Sequence, residues 1–204
     1  AYYSTIVKGL SAKVFRTYLA SSVVTKYLRE CENVASQSKM KKLFHAKLAN
    51  LDAAIMCNHK RTIPKNFEAS LQKKRDTLKT AEKTKPWKAT EELLKKAESK
   101  IVKTEKLKEK QKERIKKIKT TIKNRKAKHI ERIEKLELQV SLSEKTRDYN
   151  LGTSLRNYID PRIFKTWTDD VGADWEKLYT SALQKKFLWV KDINSKWNEI
   201  SKEY

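Results

Sequence analysis

Arg114-Ile115-Lys116-Lys117-Ile118-Lys119-Thr120-Thr121-Ile122-Lys123-Asn124-Arg125-Lys126-Ala127-Lys128 carries eight basic residues, no acid, and isoleucines three and four positions apart. That spacing lines Ile115, Ile118 and Ile122 along one stripe of a helix and turns the cations to solvent. Outward from it, Phe67, Leu71, Leu78, Ile101, Ile133, Leu136 and Val140 continue a sparse stripe through 65–150, a section with 28 basic and 14 acidic residues and no glycine. So charged a section cannot enclose a core of its own, and it reads as long helices sharing a thin apolar seam. If the flanking segments cooperate, its ends must return to one body, which favours an antiparallel helical hairpin over a single rod. Pro86 breaks one arm, and the turn is expected between Thr104 and Lys110.

Upstream, Ser11 to Cys31 places Val14, Phe15, Tyr18, Val23, Tyr27 and Leu28 near a helical period, with Ser11 as cap. Ser38 to about Asn58 puts Met40, Leu43, Phe44, Leu48, Leu51, Ala54 and Ile55 on a second apolar face, and Pro64 ends the pattern. Downstream, Leu151-Gly152-Thr153-Ser154 reads as a turn-rich joint and Asp160-Pro161 as a helix start. Dense apolar residues from Ile163 to Trp197 then supply a small helical subdomain. The expected fold is all-α in three parts: 1–64 as the end of a helical core domain, 65–150 as a basic hairpin linker, and 151–204 as a small helical domain.

Lys and Arg number 48 against 25 Asp and Glu, a net charge of +23 that favours a polyanionic partner. No apolar run approaches the ~18 residues of a spanning helix, and residues 1–9 lack signal-peptide features, so a soluble intracellular protein with no membrane partner is expected. Cys31, Cys57, His45, His59 and His129 have no metal-binding spacing, so neither metal nor cofactor is expected. No glycine-rich phosphate loop is present.

Three segments carry chemistry: Ala12-Lys13-Val14-Phe15-Arg16-Thr17-Tyr18, Met56-Cys57-Asn58-His59-Lys60-Arg61, and Leu151-Gly152-Thr153-Ser154-Leu155-Arg156-Asn157-Tyr158-Ile159-Asp160-Pro161-Arg162. Singly they have ordinary readings: a surface arginine beside aromatics, a histidine at a helix end, a packed tyrosine. Together and in this order they resemble the type IB DNA topoisomerases of eukaryotes and some archaea, across essentially the whole chain. The resemblance implies that Tyr158 attacks a DNA phosphodiester while Arg16 and His59 hold its nonbridging oxygens. It further implies a 3′ phosphotyrosyl link, strand rotation and religation without ATP or an obligatory metal.

Double-stranded DNA is the expected partner. Contacts are expected from Lys13, Arg61, Arg156, Asn157 and Arg162 near these groups, and from Arg114, Lys116, Lys117, Lys119, Lys123, Arg125, Lys126 and Lys128 along the linker. The family also uses a second arginine, a lysine that protonates the leaving 5′ oxygen, and clamp lobes that close on DNA. None of these motifs is found here, so an upstream part is a further expected partner and the chain alone is expected to be inactive. Leu19 and Leu155 stand where many relatives have asparagine and lysine. The rivals are a tyrosine recombinase, against which the long insertion between His59 and Tyr158 argues, and a non-catalytic basic coiled-coil protein that binds nucleic acid. The expected compartment is the nucleus for a eukaryotic source, or the cytoplasm and nucleoid for an archaeal one.

Overall fold

The computed structural model describes residues 2–31 and 33–204, and among them the regular structure is helical, without strands, as expected for an all-α chain. The helices are α1 (Tyr2–Ile6), α2 (Ala12–Glu30), α3 (Lys39–Met56), α4 (Phe67–Lys83), α5 (Lys88–Glu98), α6 (Glu105–Lys145), α7 (Leu151–Asn157), α8 (Pro161–Val171), α9 (Ser181–Lys186) and α10 (Trp197–Ile200). They form two compact units. Ala1–Phe67 joins Ser141–Tyr204 in the first, and Glu68–Val140 makes the second.

In the first unit α2 packs on α3, and the buried side chains of both are mostly small: Ala20, Ser21, Val24 and Thr25 on one, Ala46, Ala49 and Ala53 on the other, with Ser21 Oγ accepting from the Asp160 amide at 3.1 Å. The apolar faces expected from the sequence are buried only in part: Leu28, Leu51 and Ala54 are enclosed and Tyr27 packs against the core, but other members are open. Val14 and Phe15 are each 48% exposed, and Tyr18 and Ile55 are also about half open. Small side chains allow the two helix axes to approach closely, so the contact follows the alanines.

Helix α8 starts as expected. Asp160 accepts from the Arg162 amide, Pro161 occupies the first turn, and Gly172 closes the far end at φ +69°, a left-handed conformation that glycine adopts without a Cβ clash. Its Ile163, Phe164 and Trp167 are sealed among Trp175, Tyr179, Phe187, Val190 and Ile200. The buried Lys42 ammonium donates to the Val171 carbonyl at 2.5 Å, a cation at a helix carboxyl end. The segment 151–154, expected as a joint, is instead the first turn of α7. The Asn150 side chain caps it by accepting from the Gly152 amide at 3.0 Å, and Ser154 and Leu155 are buried in the same helix, which packs on α3.

The second unit is an antiparallel pairing. Glu98 meets Lys119, Glu91 meets Lys126 and Trp87 meets His129, so partners on α6 advance as those on α5 retreat. Pro86 interrupts the first arm between α4 and α5, as expected. The turn lies at 99–104, just before the expected place, and residues 105–110 are already helical. Gln111 explains the position: its amide donates to the Ala97 and Lys100 carbonyls, each at 2.7 Å, closing the end of α5. Ile101 therefore sits in the turn, 90% exposed, and leaves the seam that Leu71 and Ile122 enter.

Phe164→Ala should lower unfolding stability by ~3–5 kcal/mol, whereas Val14→Ala should change it by less than ~0.5 kcal/mol. Denaturant unfolding checks both. A comparable drop for Val14→Ala would contradict the alanine-lined packing face.

Candidate active site

Helix α3 ends because Asn58 turns left-handed, at φ +54°, a conformation that asparagine tolerates better than most side chains. The His59 amide then folds back to the Ala54 carbonyl at 2.8 Å. Beyond it the chain pairs with the approach to α7. Lys60 bridges Tyr149 in antiparallel fashion, the Asn150 amide donates to the His59 carbonyl at 2.8 Å, and the Arg61 amide donates to the Asp148 carbonyl at 3.0 Å. Asn150 caps α7, and Tyr158 follows at that helix's other end, its amide donating to the Ser154 carbonyl at 2.9 Å.

This pairing brings together the three groups singled out in the sequence. The His59 and Tyr158 ring centres lie 5.0 Å apart at 41°. The Arg16 guanidinium carbon lies 5.4 Å from the Tyr158 ring centre, and its Nη2 donates to the Cys57 carbonyl at 2.6 Å, two residues before His59. On its other side His59 presents Nδ1 to Ser154 Oγ at 3.0 Å, while its Nε2 is closed to solvent and has no polar partner among the described residues. Burial, and after it the Arg16 charge, hold the His59 imidazole below its ordinary pKa. A fixed cation, an imidazole and a half-buried phenol thus converge, an arrangement suited to an anionic reacting centre.

The other expected contacts divide. Lys13, Arg156 and Asn157 are exposed. Arg61 donates through Nε to the Arg147 carbonyl at 2.9 Å. Arg162 is engaged by Asp160, which raises its pKa most, and by Glu203 at 2.7 Å, while the Tyr204 hydroxyl donates to Asp160 at 2.7 Å. Arg162 thus braces the turn after Tyr158. In the second unit Arg125 donates to Thr90 at 2.6 Å, and Lys117, Lys119 and Lys126 pair with Glu113, Glu98 and Glu91. Arg114, Lys116, Lys123 and Lys128 are exposed, with no ion pair among the described residues. Sequence reasoning missed Ser154 as a partner of His59, and Glu203 and Tyr204 as braces. The position of Ser154 one helical turn before Tyr158 was the available signal.

Residues 1–94 match the family described as eukaryotic DNA topoisomerase I, catalytic core, and residues 130–199 match the C-terminal topoisomerase domain. DNA topoisomerase 1 of Rattus norvegicus is 35% identical over 200 residues, 92% of this chain and 23% of the relative. The Homo sapiens protein of the same name is 34% identical with the same coverage, and that of Caenorhabditis elegans is 33% identical over 96% of this chain and 22% of its own length. The chain belongs to the eukaryotic type IB DNA topoisomerase family. It spans less than a quarter of the length of these curated relatives.

The folded site binds the His59 proton less tightly than the unfolded chain does. The stability contribution of this group is therefore present above ~pH 6.5 and lost as pH falls through the lower folded value. An NMR titration should place the His59 midpoint below ~6.5, and Arg16→Gln should raise it. A midpoint at or above ~6.5 in the unsubstituted chain would contradict this environment.

Proposed function

We propose that this chain supplies the nucleophile of a type IB topoisomerase. The Tyr158 oxygen bonds to phosphorus of a DNA strand as the bond to the 5′ oxygen breaks, leaving a 3′ phosphotyrosyl link and a free 5′ hydroxyl. Attack creates a crowded, negatively charged pentavalent centre, which needs fixed donors around its nonbridging oxygens. The convergence of Arg16 and His59 on the Tyr158 ring carries this reading. Because the covalent link conserves the bond energy, strand rotation followed by re-attack relaxes supercoils without ATP or a metal.

We further propose that the leaving oxygen is protonated by a lysine outside these 204 residues, and that a second arginine and the clamp around the duplex come from the same upstream part. Double-stranded DNA is then the substrate and, given the eukaryotic relatives, the nucleus the compartment. A tyrosine recombinase would share the chemistry, but the family membership and the helical unit between His59 and Tyr158 favour the topoisomerase. A purely structural coiled-coil protein would have no use for Arg16, His59 and Tyr158 at contact distance.

On a suicide DNA substrate, in the presence of the upstream part, the chain should become covalently attached to the 3′ end, and Tyr158→Phe should abolish the adduct. An adduct that persists would move the nucleophile elsewhere. Replacing Arg114, Lys116, Lys123 and Lys128 with glutamine should flatten the dependence of log K on log salt by up to ~0.9 for each phosphate that is no longer neutralised. An unchanged slope in a binding titration would leave the second unit a spacer.

A further inference from the structure

Ser154 is fully closed to solvent, and its only hydroxyl partner among the described residues is Nδ1 of His59, 3.0 Å away. Its carbonyl meanwhile accepts from the amides of Tyr158, at 2.9 Å, and Ile159, at 3.1 Å. One residue therefore touches both the ring of the phosphate donor and the backbone of the nucleophile. A neutral imidazole has one nitrogen that donates and one that accepts, and its hydrogen bonds decide which is which. Burial and the Arg16 charge disfavour protonating both nitrogens of His59.

Two assignments remain. If Nδ1 carried the proton and donated to Ser154, Nε2 would hold a lone pair, which would repel an anionic phosphate oxygen. If Ser154 donates to Nδ1, Nε2 carries the proton and gains from that same oxygen the partner it lacks in the free protein. We propose that Ser154 is a positioning residue whose hydroxyl donates to His59 Nδ1, placing the ring proton on Nε2 and aiming it at the phosphate that Tyr158 attacks. This rests on the function proposed above for Tyr158, but the hydrogen-bond assignment can be tested without DNA.

Nitrogen-15 NMR of the His59 ring in the 204-residue chain, above its titration midpoint, should show the proton on Nε2 and an accepting Nδ1. A proton on Nδ1 would overturn the proposal whether or not the chain ever cleaves DNA. With the upstream part present, Ser154→Ala should slow cleavage by ~10–100-fold, by analogy with removal of the outer hydrogen-bond partner of a metal-bound histidine. The same substitution should add little in a His59→Gln background, because Ser154 acts through that ring. An equal slowing in both backgrounds would make Ser154 a packing residue only and overturn the proposal.

Discussion

The short pairing of residues 59–61 with 148–150 is the contact on which the first unit and its site depend. It joins two stretches separated by the whole of the second unit in sequence, through the Lys60–Tyr149 bridge and two flanking backbone hydrogen bonds. Each such bond contributes only ~0.5–1.5 kcal/mol net, so these alone would not hold the junction against the entropy of closing so long an intervening chain. Side chains extend it. Asn50 donates to the Leu151 carbonyl at 3.1 Å, Asn150 caps α7, and Ser154 reaches His59. The junction sets where α7 begins and hence where Tyr158 ends.

Electrostatics then follow from placement. Arg16 lies beside the phenol and against the end of α3, where its charge discourages protonation of His59 and favours any anion that approaches. The turn after Tyr158 is held from its other side. Asp160 caps α8, accepts from Tyr204 and pairs with Arg162, while the Tyr204 ring lies 5.8 Å from that of Tyr18 on the helix that carries Arg16. A side chain braced on both sides loses little orientational freedom when a ligand binds, which is how positioning contributes to rate.

Helix type was legible in the sequence because the chain has few breakers and strong helical spacing. The start of α8 was legible because Asp160-Pro161 is a local signal. Which helix face would be buried was legible only in part: Leu28, Leu51 and Ala54 are buried as read, but Val14 and Phe15, which stand out in a sequence, are open, whereas Ala20, Ala46, Ala49 and Ala53, which do not stand out, lie in the core. The turn at 99–104 depends on Gln111 reaching back to the end of α5, a side-chain contact without a local signature. Arg16, His59 and Tyr158 were found by the resemblance of their flanking residues, and the structure brings them together. Ser154 escaped notice because its role appears only when the loop carrying His59 folds against α7.

The cluster of Arg16, His59 and Tyr158 has a direct signature in the free chain. The His59 and Tyr158 rings, with centres 5.0 Å apart, should give strong nuclear Overhauser effects between their protons in the absence of nucleic acid. Their disappearance on disrupting the 59–61 and 148–150 pairing, for example with Asn150→Pro, would agree with the pairing as the assembling interaction, since proline removes the Asn150 amide donor. Absence of any such effect between the two rings in the unsubstituted, folded chain would contradict it.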